Sequence, residues 1–221
     1  MTVETDVPTP SHRADGAAAP VAPAPPAPAL PAGNPALLAL ITFLPSGLTL
    51  GLWFIGYLDT VRLPGGMVAT LALSAGLFML VATIWAGRIG ASTLAAVFGV
   101  FSAFWLSFAL LVTALTSTWW AIAAAGIARV QATYLLSFLC VFVLLTLATL
   151  RLPLVFTVGF VLVDVTFLLA FLAVVNVNRD YFTWAGVTTF AFCGVFAYVL
   201  FDGFGQDLGG KAMPMGRPVI R

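Results

Sequence analysis

The chain has 221 residues, 62% of them hydrophobic and 8% charged, with a formal net charge of +1 and a mean hydropathy of +1.10. Such a composition leaves too little polar surface for a water-soluble globule and no dense basic patch for a nucleic acid. Both cysteines, Cys140 and Cys193, lie in apolar runs, and the sole histidine, His12, lies near the start. With no Ser-His-Asp set, phosphate loop or CxxC, neither an enzyme nor a cofactor or metal site is expected.

Residues 1–33 hold eight of the fourteen prolines, many alanines and no apolar periodicity. Such a segment reads as an extended, solvated cytoplasmic tail, a spacer or a docking arm. It lacks the charged-then-apolar order of a cleaved secretory signal, so the first span is expected to insert the protein. At Asn34-Pro35 the character changes: asparagine is a good N-cap, and proline fits the first helical position, where no N–H is needed.

Six apolar runs follow, at 36–58, 67–87, 92–115, 132–150, 153–175 and 183–201, and the breaks between them together with the tail from Asp202 carry most of the charges. Each can cross a hydrocarbon layer of about 30 Å, and runs this long without alternation are helices. The fold class is therefore an all-α integral membrane protein of six spans over 34–202, with a C-terminal tail from 203 to 221. The side shared by both termini holds Arg13, Arg88, Arg151, Lys211, Arg217 and Arg221, against Arg62, Arg129 and Arg179 on the other. That bias places both termini in the cytoplasm and the chain in a cytoplasmic membrane. Trp119 and Trp120 read as interfacial anchors on the outer face.

Within the spans, Pro45-Ser46-Gly47 interrupts the first helix, followed by Gly51 and Gly56. Two readings stand: a kink that lines a conduit, or a small-xxx-small face for close packing. Asp164 is the only ionisable side chain near the centre of a span. A charged aspartate there costs about 2.5–3.5 kcal/mol, and no lysine or arginine lies at that depth, so it is protonated or faces water. It reads as a proton carrier or selectivity element, or as a structural acid bonded to a hydroxyl such as Thr157. Hydroxyls such as Thr42, Thr83 and Ser102 can donate to a passing carboxylate, and also commonly bond back to their own helix. Together with Asn34 at the first span's mouth, these are the candidate substrate or proton pathway.

Six short motifs occur in order: Asn34-Pro35-Ala36 running to Leu40, Ile55-Gly56-Tyr57, Ile84-Trp85-Ala86-Gly87, Phe101-Ser102-Ala103-Phe104-Trp105, Leu172-Ala173 to Asn176, and Met213-Pro214-Met215-Gly216. They resemble the acetate uptake transporter family, of the succinate–acetate/proton symporter type. The resemblance implies a six-helix protomer in a homo-hexamer, each protomer with its own pore for acetate or another small carboxylate. It also implies that Phe43, Phe101 and Val165 form a narrow apolar constriction, which physically could close by dewetting. The chain departs from the family pattern at Gly51, Trp53 and Phe54, at Thr83 and at Gly90, where polar or acidic residues are usual. The expected function is a transporter or channel for small monocarboxylates, acetate first, with the dicarboxylate succinate beside them and with proton coupling. The alternatives are a conduit for ammonium or a small neutral solute, and a non-transporting scaffold or sensor.

Overall fold

The computed structural model describes residues 33–58, 64–117 and 120–220. The Pro/Ala segment 1–32, Arg62 and Trp119 lie outside them, while Trp120 is exposed. Among the described residues every regular element is helical, and six helices are long and apolar enough to cross a membrane.

α1 runs over Pro35–Phe54. The Asn34 side chain accepts from the Ala36 N–H at 3.0 Å and so caps the helix start. The helix stops short of residue 58 because Gly56 takes a φ of +83°, a left-handed conformation that ends helices. α2 is built of Pro64–Ala69, a π-helical stretch Thr70–Leu77, and Phe78–Arg88. α3 is Ser92–Thr116, α4 Ile127–Thr149, α5 Leu154–Asn176 and α6 Arg179–Asp207. α6 begins four residues before the apolar run, since Asn178 caps it by accepting from the Asp180 N–H at 2.9 Å. It also continues past residue 201 through Asp202 and Gln206.

The helices stand in a ring in chain order, each backbone close against its sequence neighbours except between α3 and α4, with α6 packed back against α1. α1 and α6 approach closely because small residues face one another. A Cβ on Gly47 would lie 2.6 Å from Cys193 Sγ, and one on Gly186 would lie 3.0 Å from the Gly51 carbonyl oxygen. Of the two readings of the first helix, close packing is therefore what Gly47 and Gly51 do. The counterpart seam, α3 against α4, is the open one. Aromatic side chains fill it: Phe104 reaches Phe138 at 5.3 Å, and Phe108 stacks on Tyr134 at 6.0 Å. The Tyr134 hydroxyl donates across to the Phe104 carbonyl at 2.9 Å.

Ser46 explains the π-helical stretch of α2. It is fully buried, accepts from the Ala75 N–H at 3.1 Å and donates to the Thr70 carbonyl at 2.8 Å. Those two groups are five residues apart, the pairing of a π-turn, and the hydroxyl of α1 is inserted between them. In lipid an opened backbone must be satisfied within the protein. Ser46→Ala is expected to cost about 1–3 kcal/mol by stranding both groups, read as a lowered melting temperature in detergent. Thr49→Val, whose hydroxyl only returns to the Pro45 carbonyl, should cost about 0.5 kcal/mol or less.

Candidate functional site

Two vestibules open at opposite ends of the ring. The one on the side of the chain termini holds about 370 Å³ and is lined by Asn34 and Phe43 of α1, Phe101 of α3, Thr149, Phe160 of α5, and Asp202 of α6. The other holds about 660 Å³, where the ends of α1, α3 and α5 meet the starts of α4 and α6; Trp53, Thr116, Gln131, Asn178 and Arg179 are among its walls. Two small voids of about 40 and 20 Å³ lead inward from the larger vestibule, sharing Phe54, Phe108, Leu135 and Ala170.

Between the vestibules lies a plug of aromatic rings. Phe43 is 2% exposed and sits at its centre, 5.7 Å from Phe101, 5.6 Å from Phe196, and 5.9 Å from both Trp105 and Phe192. Phe101 continues the contact to Phe142 at 4.8 Å and to Phe160 at 5.8 Å. Phe167 then joins Phe142 at 4.8 Å and Phe104 at 5.0 Å. Edge-to-face pairs such as Phe43–Phe196, with planes 89° apart, are a favoured aromatic geometry.

The structure brings together only part of the residues singled out in the sequence. Phe43 and Phe101 touch, and Asn34 lies at the mouth of their vestibule. Val165 does not join them. It is 36% exposed on the outside of α5, because a step of one residue turns a helix by about 100° and carries it away from the interior. Phe160 takes the place on α5 that faces Phe101.

Of the pathway hydroxyls, two bond back to their own helices and one bonds across to a neighbour. Thr42 donates to the Leu38 carbonyl at 2.8 Å and Thr83 to the Met79 carbonyl at 2.7 Å. Buried Ser102 donates to the Gly76 carbonyl of α2 at 2.7 Å. Asp164 lies in the α4–α5 seam, where Thr146 Oγ1 is 2.6 Å from its Oδ2. That same hydroxyl is 3.0 Å from the Phe142 carbonyl, and with one hydrogen it cannot donate to both. Asp164 Oδ1 is buried without a partner among the described residues. Thr157, the partner expected for Asp164, bonds instead to Thr149, donating to its carbonyl at 3.0 Å.

A second acid was missed in the sequence. Asp202 is 6% exposed and accepts from Gln206 Nε2 and from the Met213 N–H, both at 2.6 Å. These bonds fold the C-terminal segment back across the termini-side mouth. Tyr198 donates to the Pro214 carbonyl at 2.9 Å, and the Val155 N–H at the start of α5 donates to the Met215 carbonyl at 3.1 Å. Met215 thereby becomes part of the vestibule wall. The spacing of Asp202 and Gln206, one helical turn apart, was the only signal.

No curated protein matches the chain. Among solved structures it is similar to that described as the structure of the bacterial acetate channel SatP, with a TM-score of 0.73 and 21% sequence identity. The likeness covers 83% of this chain and 99% of the other and establishes the six-helix fold. The sequence pattern of the GPR1/FUN34/yaaH family matches residues 16–207. The chain is a multi-pass membrane protein and belongs to the GPR1/FUN34/yaaH family, the acetate transporter family that its motifs resemble.

Proposed function

We propose that the protein conducts small monocarboxylates, acetate first among them, across a cytoplasmic membrane through the centre of each six-helix ring. The observation that carries this is the pair of vestibules facing one aromatic plug, centred on Phe43 and Phe101. A wide mouth at each end and a dry apolar waist between them is the layout of a dewetting gate. Membership of the family supports the substrate class, as does the similar fold of a protein described as an acetate channel. In this reading Phe43, Phe101 and Phe160 form the constriction, Asn34 marks one mouth, and both termini are cytoplasmic. The homo-hexamer implied by the resemblance belongs to the same proposal, and the mass of the detergent-solubilised complex tests it.

The test is uptake of labelled acetate into proteoliposomes, with empty liposomes correcting for acetic acid leak. Protein-dependent flux supports the conduit, and its absence under any gradient turns the choice to ammonium or to the scaffold. Asp164 lines neither vestibule and lies within hydrogen-bond distance of Thr146, so its place in this reading is proton linkage and not substrate contact. Asp164→Asn is expected to keep at least half of the acetate flux and to lose its dependence on an inward proton gradient. A variant that responds to the gradient as wild type does would remove Asp164 from the mechanism.

A further inference from the structure

The two vestibules carry charges of opposite sign. Of the described side chains lining the larger one, Arg179 is the only charged residue. In the smaller one that distinction belongs to Asp202. A carboxylate is thus attracted at one mouth and repelled at the other.

Arg179 is seated by the backbone of α1. Gly56 follows the last turn of that helix with φ +83°, and the Arg179 guanidinium occupies the space a Cβ there would need, its Nη2 in contact and its Cζ at 3.4 Å. The cation therefore lies beside the C-terminal end of α1, whose dipole favours positive charge. A neutral donor, the Gln131 amide, lines the same cavity. Trp53 is also in the wall, and its indole nitrogen is buried without a hydrogen-bond partner among the described residues. An unpaired buried donor is uncommon and invites an acceptor. Asp180, next on α6, is exposed and does not line the cavity.

We propose that the larger vestibule is a capture site for carboxylate anions, with the Arg179 guanidinium as its ionic contact and Trp53 and Gln131 beside it as neutral donors. The inference rests on the carboxylate reading above and adds to it the residue that recruits the anion. Guanidinium suits this task because its planar donors match the two carboxylate oxygens. Asp202 at the far mouth favours release of the anion once it has passed the plug.

The experiment has two arms. In proteoliposomes, Arg179→Gln is expected to raise the half-saturating acetate concentration about three- to tenfold, the modest effect of an exposed charge, with the maximal rate within about twofold. Arg179→Lys, which keeps the charge, should fall between. Added salt should raise half-saturation in wild type and leave Arg179→Gln unmoved. In detergent, sodium acetate titrated onto the protein should shift tryptophan emission, with the shift absent in Trp53→Phe and weakened in Arg179→Gln. Elution of each variant at the wild-type position on size exclusion confirms that it is folded. Wild-type flux with unchanged half-saturation and salt response in Arg179→Gln would overturn the capture site. Emission shifts that follow Arg179 without any acetate flux would uphold the site and sink the transport reading. An emission response indifferent to Arg179 overturns the site whatever the flux.

Discussion

Phe43→Ala is expected to raise acetate flux per folded protomer about tenfold, equivalent to removing ~1.4 kcal/mol from the barrier. The ring lies between the two vestibules and touches Phe101, Trp105, Phe192 and Phe196. A dry gate holds because its radius is small and its walls apolar, and removing one phenyl widens it where four rings converge. The same change empties a packed site, at a cost of about 3–5 kcal/mol in stability. Flux must therefore be normalised to the folded fraction, measured by size exclusion after reconstitution. Phe43→Leu retains more of the volume and should lie between wild type and alanine in both quantities. Wild-type flux per folded molecule in Phe43→Ala would mean that the substrate does not pass this ring.

The second large effect concerns the α1–α6 contact. Gly186→Val is expected to destabilise the protein at or beyond the top of the usual overpacking range of about 1–3 kcal/mol. Its Cβ would meet the Gly51 carbonyl oxygen at 3.0 Å and the Ile55 nitrogen at 3.1 Å, and backbone atoms cannot rotate aside as side chains do. The two helices would have to separate, and with them the wall that holds Phe43 against Phe192 and Phe196. Gly194→Val supplies the control on the same helix, since a Cβ there meets nothing within 4 Å. Melting of the two variants in detergent should differ clearly. Equal melting temperatures would mean that α1 and α6 do not approach as described.

The residues at risk in these experiments differ in how far they could be read from the chain. Gly47 and Gly51, four apart in an apolar run, already announced a close-packing face. Phe43 and Phe101 were two of nineteen phenylalanines, and only the resemblance to a family set them apart. Arg179 stood in a break between spans and read as a topological charge, with nothing local to connect it to Gly56, 123 positions earlier in the numbering of the same chain. Ser46 was visible as part of a Pro-Ser-Gly interruption, but its partners, Thr70 and Ala75, belong to another helix.

Six spans, their order and the start of α1 at Asn34 were legible from the residues alone. The hydrocarbon layer requires about 20 apolar residues per crossing, and hydropathy records that requirement directly. Which face of each span looks inward was not legible, because lipid and protein interior are both apolar and leave no amphipathic stripe to read. Hence Val165 was placed in the constriction, while the fold turns it outward and brings Phe160 to Phe101. For the same reason Thr42, Thr83 and Ser102 could not be assigned by composition between a wet path and the backbone carbonyls to which they donate. The neighbours of a side chain in a membrane bundle are chosen by helix packing, so the aromatic plug, the seat of Arg179 and the strap held by Asp202 exist only once the six helices are assembled.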